Sequence, residues 1–251
     1  MDARALTPDK RRRLMQLIES ATLAFAAQGY RRTTMADIAR RMGVAPGTVY
    51  LYAESKEALF DFLVRWHLGR VDLDSPISLP VQSTEGEGGL ELISEQLKVD
   101  QLFPALARAL TIEHPPDPAA EVRGLVGELY KTIKRYRRFI SLIEGSALDW
   151  PEMADAFYRF FRQSLFDQLA AYIGLRVSSG YLPAVTSESI AARLLMEAIA
   201  WFAMHRYGDR YTPDWEEAAV ESTLTEMLVR AAGPAITSPE GTGKGQGHER
   251  P

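Results

Sequence analysis

Along residues 10–26 the apolar positions Leu14, Leu17, Ile18, Ala21 and Phe25 fall three and four apart, which predicts a helix with one buried face. Gly29 ends that helix, and the turn GYRR follows. Thr34 then precedes Met35, Ala36 and Asp37, a hydroxyl cap with a carboxylate in the first turn. Ile38, Ala39 and Met42 give this short second helix its apolar side, and Gly43 suits its C-terminal turn. Pro46 suits the first turn of a third helix, because its missing N–H has no partner there. That helix is expected to end near Tyr52. Ser55 can cap a fourth, striped by Leu59, Leu63 and Trp66.

Residues 72–89, DLDSPISLPVQSTEGEGG, are turn-forming and read as a loop or an open connection. Helical patterns resume over residues 90–110, 118–144, 150–178, 187–206 and 214–231, with Pro104 shortening or kinking the first. HPPDP and ALDWPEM mark breaks between them. Strand alternation and internal repeats are absent. The tail from Gly233 has five glycines and no apolar periodicity, so it is expected to be disordered. The expected fold is all-α: a three-helix head over 1–55, a connecting helix over 56–71, a larger helical domain over 72–232, and the tail 233–251.

Three short helices within residues 10–52, the last two joined by a tight turn at Gly43 and Val44, have the spacing of a helix-turn-helix. The composition of the third helix fits that reading. The major groove is about 12 Å wide, so a helix entering it needs a slim front. Ala45, Pro46 and Gly47 keep the front slim. Thr48 can offer a methyl to thymine or a hydroxyl to a base edge or phosphate. Tyr50 and Tyr52 can reach phosphate oxygens, and Lys56 can reach the backbone from the start of the fourth helix. The competing reading is a packing unit that never meets DNA, with Tyr50 and Tyr52 as ordinary half-buried tyrosines.

The stretch TTMADIARRMGVAPGTVYLYAESKEALF resembles the DNA-binding head of the TetR family of bacterial transcription regulators. The resemblance rests on Thr33, Thr34, Ile38, Ala39, Gly43, Val44, Gly47, Thr48, Val49, Tyr50, Tyr52, Ser55, Lys56, Glu57 and Leu59, and covers about residues 10–65. It implies that Thr34 touches a phosphate and that Met35 approaches bases. It implies that Ala45, Pro46, Gly47 and Thr48 face the groove, while Tyr50, Tyr52 and Lys56 clamp the backbone. Two positions depart from the family pattern. Ala45 stands where serine is common, which removes a hydroxyl cap. Ala53 stands where phenylalanine is common, which leaves a smaller anchor against the core of the head.

Charge sharpens this picture. The net charge is −4, yet residues 1–70 hold 12 Lys/Arg against 7 Asp/Glu. A basic head on an acidic body is consistent with a polyanion at one end. Lys10 to Arg13, and Arg31, Arg32, Arg40 and Arg41, are either solvated or in contact with phosphate. There is no cysteine, which excludes disulfides and thiolate chemistry. No secretory signal pattern and no apolar run of membrane-spanning length is present, so a cytoplasmic location without membrane contact is expected. No HExxH, GxSxG or glycine-rich phosphate loop occurs, so an enzyme, a cofactor and a metal site are not expected.

One head reads few base pairs, so a homodimer on a palindromic, double-stranded DNA operator is expected. Ala191, Leu194, Leu195, Ala198, Ile199 and Phe202, with Val220, Leu224, Met227, Leu228 and Ala231, mark the last two helices as the dimer element or as internal core. The resemblance implies an effector cavity among the middle helices, which carry Phe103, Tyr130, Phe139, Trp150, Phe157, Phe161 and Phe166. A small apolar or aromatic effector would suit such walls. Glu144, His114 and His205 are its possible polar contacts, none singled out. The resulting expectation is a ligand-responsive repressor. An activator, or a regulator controlled by a protein partner, is the alternative.

Overall fold

The computed structural model describes residues 5–83, 90, 92–93 and 98–233. The tail expected to be disordered lies outside them, apart from Gly233. Four helices open the chain: α1 (Pro8–Gln28), α2 (Met35–Met42), α3 (Pro46–Tyr50) and α4 (Lys56–His67). Each begins where local chemistry provides for it. Thr7 accepts from the Lys10 N–H and Ser55 from the Ala58 N–H. Thr34 and Asp37 form a reciprocal capping box. Gly43 ends α2 at φ 69°, ψ 34°, a left-handed conformation that glycine reaches without steric cost. Leu14, Leu17, Phe25, Ile38, Ala39, Val49, Leu59 and Leu63 are fully buried and lock the four helices together.

The remaining helices are α5 (Val99–Leu102), α6 (Pro104–Thr111), α7 (Pro118–Ala147), α8 (Pro151–Ala154), α9 (Gln163–Ser178), α10 (Glu188–Ala203) and α11 (Glu217–Ala232). A π-helical stretch, Asp155–Arg162, links α8 to α9 without a break, and a short 3₁₀ turn, His205–Gly208, follows α10. The central pillar is α7, 30 residues long. It packs against α1 on one side and α10 and α11 on others. Pro104 divides the first expected segment in two, as its position at the start of α6 requires. The described residues carry no β-strand, only one isolated bridge, and no helix is long and apolar enough to cross a membrane.

The connection after α4 is a loop over its described residues 72–83, and it folds back onto the head at Val81. Val81 forms the bridge with Ala53, its N–H donating to the Tyr52 carbonyl at 2.8 Å and its carbonyl accepting from the Glu54 N–H at 3.1 Å. Val81 is 8% exposed and Ala53 fully buried. The small side chain at Ala53 leaves room for Val81, which supplies the missing packing.

His67, the last residue of α4, joins three elements. Its Nε2 is 3.0 Å from the Thr22 hydroxyl on α1, and its ring lies against Phe139 of α7. Burial, and secondarily the charge of Arg138, lower its pKa to about 4. The unfolded chain therefore binds this proton from about pH 6.5 downward, while the folded chain refuses it until about pH 4. Its contribution is complete above pH 6.5 and falls away toward pH 4, by roughly 3 kcal/mol. Urea unfolding at pH 7.5 and pH 4.5 is expected to show His67→Gln losing less stability on acidification than the unsubstituted chain, by about that amount.

Candidate nucleic-acid interface and ligand cavity

The turn between α2 and α3 fixes one exposed edge of the head. Val49 is fully buried and anchors α3, which leaves Ala45, Pro46, Gly47 and Tyr50 exposed and Thr48 half-buried. No side chain caps α3, because Ala45 has no oxygen to offer. Thr34 is exposed next to this edge. Its hydroxyl donates to Asp37 at 2.6 Å and accepts from the Asp37 N–H at 3.1 Å. Those Thr34 contacts, with Arg40 beside them, hold the Asp37 carboxyl below the usual range. Tyr52 is half-buried, below the outer surface.

Two residues expected at DNA sit elsewhere. Met35 is 6% exposed and packs into the head, while its neighbour Ala36 is exposed beside Thr34. The Lys56 ammonium turns inward and donates to the carbonyls of Tyr30, Arg31 and Thr33 at 2.8, 3.2 and 3.0 Å, with the Tyr30 ring 4.5 Å away. Burial lowers its pKa, with Asp149 opposing. Arg40 pairs with Asp37 at 2.9 Å. The Arg31 and Arg41 side chains are exposed, with no ion pair among the described residues.

A second site lies in the body. A cavity of about 110 Å³ sits between α7, the π-helical stretch and α10, walled by Phe103, Phe139, Phe157 and Phe161. The π-helical register brings Phe157, Phe161 and Arg162 of one short stretch to this wall. Its polar lining groups are Glu144, Arg162, Glu197 and His205, with the hydroxyl residues Thr132 and Tyr136. Arg162 donates to Glu197 at 3.1 Å, and Arg193 stands 2.8 Å from the same carboxylate. Arg162 comes no nearer than 3.8 Å to Glu144. Burial raises the Glu144 pKa, and Arg162 and His205 offset this only in part. His114 is not at the cavity; it bonds the Tyr181 hydroxyl at 3.2 Å near the surface. A wider crevice of about 720 Å³ between α1 and α4 is bordered by Arg11, Arg12, Glu19 and Arg138 together with Trp66 and His67. Among the described residues no cluster of His, Asp and Glu is arranged to hold a metal ion.

Residues 17–62 match the family described as bacterial regulatory proteins, tetR family. Over this head the chain is similar to the TetR family. The HTH-type transcriptional regulator BetI of Rhizobium meliloti (strain 1021) is 31% identical over 111 residues, 44% of this chain and 55% of that protein. The HTH-type transcriptional repressor KstR2 of Rhodococcus jostii (strain RHA1) is 37% identical over 62 residues, 25% of this chain and 30% of that protein. The chain thus spans between about a third and just over half of the length of the curated relatives it matches. A solved structure of the ketosteroid transcriptional regulator KstR2 of Mycobacterium tuberculosis aligns over 94% of this chain and all of that one, at 16% identity and a TM-score of 0.53. That likeness is one of fold. These relatives are transcriptional regulators.

Head and body meet at a junction that sequence reading missed. Asp149, just beyond α7, accepts from the Arg31 and Arg32 N–H groups at 3.3 Å each. Trp150 packs against Tyr30 and Phe60 with ring centroids 4.8 and 5.6 Å away. Gly145 lets α7 press directly on the backbone of α1: a Cβ there would lie 2.4 Å from the Ala26 carbonyl oxygen. Asp149 bonds residues 117 and 118 positions away, so no local pattern could have announced it.

Proposed function

We propose that the chain is a ligand-responsive transcription regulator, a repressor that binds a palindromic operator as a dimer and is released by a small apolar or aromatic molecule. The observation that carries the DNA reading is the exposed, slim edge of α3 anchored by buried Val49 beside exposed Thr34. On this reading residues 1–55 form the head and 72–232 the effector and dimerisation domain. Thr48, Ala45, Pro46 and Gly47 meet base edges, and Tyr50 meets phosphate. Arg31 and Arg41 supply counter-charge. Lys56 serves from behind by holding the turn that presents Thr34.

Dimerisation through α10 and α11 is supported by apolar side chains that have no cover in one subunit. Ile190, Leu194 and Met227 are 63%, 68% and 60% exposed. Beside them runs an apolar groove of about 310 Å³ that includes Leu194, Leu195, Leu228 and Ala231. Repression is supported by the name of the Rhodococcus relative. The aromatic walls of the body cavity favour the apolar effector.

Coupling follows from α7. The same helix carries Glu144 at the cavity and Gly145 against α1, and Asp149 follows at the turn before α2. A ligand that shifts this end of α7 shifts the head, so ligand and DNA favour different arrangements. Retention of duplex DNA by the full chain tests the reading. Tyr50→Ala is expected to weaken binding similarly on all sequences, and Thr48→Ala to relax preference at one position, each by about 1–3 kcal/mol. Undiminished binding by both variants would sink it.

A further inference from the structure

The cavity edge is unevenly satisfied. Glu197 is bonded by Arg162 at 3.1 Å and approached by Arg193 at 2.8 Å. Glu144 has only Arg162, at 3.8 Å, beyond hydrogen-bond reach. Its side chain is 26% exposed and borders the cavity. No described group donates a hydrogen bond to it, and a carboxylate can only accept. Thr132, Tyr136 and His205 also line the cavity, but among its charged carboxylates and guanidinium Glu144 alone lacks a hydrogen bond, which leaves an acceptor with negative charge beside these phenylalanines. An incoming carboxylate or phosphate would meet two glutamates and a guanidinium already engaged. An incoming ammonium would meet a carboxylate that Arg162 faces at 3.8 Å without a hydrogen bond, in a site where low polarity strengthens the attraction.

Size adds a second constraint. A cavity of 150 Å³ lined by apolar side chains holds about one benzene. At about 110 Å³ this one is smaller, so it limits the occupant to a single ring with a short arm left at the Glu144 edge. We propose that the effector is an aryl-alkyl amine, its ring among Phe103, Phe139, Phe157 and Phe161 and its ammonium on Glu144. This rests on the reading of that cavity as the effector site. A cation there also reverses the penalty that burial imposes on the Glu144 carboxylate.

Three probes of one shape separate the alternatives: phenethylamine, phenethyl alcohol and phenylacetate. Thermal stabilisation of the full chain at rising probe concentration gives each affinity. The amine is expected to bind about tenfold or more tighter than phenylacetate, the effect of one opposite charge at contact distance. Glu144→Gln is expected to weaken the amine by about tenfold and leave the alcohol within about twofold. Phe161→Trp, which fills the cavity, is expected to abolish stabilisation by all three. Phenylacetate binding as tightly as the amine, or an amine indifferent to Glu144→Gln, would overturn the amine class and leave the cavity as the effector site. Failure of all three probes would overturn both. If Glu144→Gln does not fold, the order of the three probes on the unsubstituted chain decides.

Discussion

Glu121→Leu is expected to lower the free energy of unfolding by about 3–5 kcal/mol, the cost of stranding a buried charge. Arg176 is 1% exposed. Its Nε and Nη2 donate to the two Glu121 oxygens at 2.7 and 2.9 Å, and Nη2 also donates to the Ala109 carbonyl at 2.8 Å. The Tyr172 hydroxyl donates to the same carboxylate at 3.0 Å. This one cluster ties α6, α7 and α9. Removing the carboxylate leaves the buried guanidinium with one carbonyl acceptor and the face of the Tyr172 ring. The pair itself is not an ideal arrangement, because Arg176 Nη1 is buried without a partner. Replacing both ends with apolar side chains, Glu121→Leu with Arg176→Met, is therefore expected to recover most of the loss. Urea unfolding of the single and double variants gives the coupling. A double variant as unstable as the single would mean that the cluster acts through packing rather than charge.

Gly145→Ala is expected to destabilise the chain by about 1–3 kcal/mol and to weaken DNA binding with it. Helix propensity alone predicts the reverse, a gain of about 1 kcal/mol. The added methyl would sit 2.4 Å from the Ala26 oxygen and 2.7 Å from the Phe25 oxygen, both backbone atoms that cannot swing aside. Either α1 moves away from α7 or the helix bends. Both loosen the turn that Asp149 and Lys56 hold before Thr34. Gly124→Ala, on the same helix, is the control. It is exposed and meets nothing within 4 Å, so it is expected to stabilise the chain by up to about 1 kcal/mol. A neutral or stabilising Gly145→Ala would remove α7 from the account of coupling.

The head was legible because its signals are local. Thr34 with Asp37, Gly43, Pro46 and Ser55 each satisfy backbone groups within one turn, so their spacing survives in the sequence. The helices of the body were legible for the same reason. What escaped was set by tertiary contact. Lys56 carries no mark of the three carbonyls it bonds on the far side of α2. Met35 occupies the first position of a short helix, where periodicity decides little about burial. Val81 fills the place opposite Ala53 from a segment with no strand pattern. Of Glu144, His114 and His205, only packing separates the two that border the cavity from the one that does not.

The central claim is sequence-specific DNA binding by a paired head. Selection of the purified full chain against a random duplex library, with competitor DNA and sequencing of the survivors, tests it most directly. The expected survivors share one motif with two-fold related halves about 10 base pairs apart or a multiple of that spacing. Survivors with no shared motif at low salt, both alone and with the amine probe present, would contradict it.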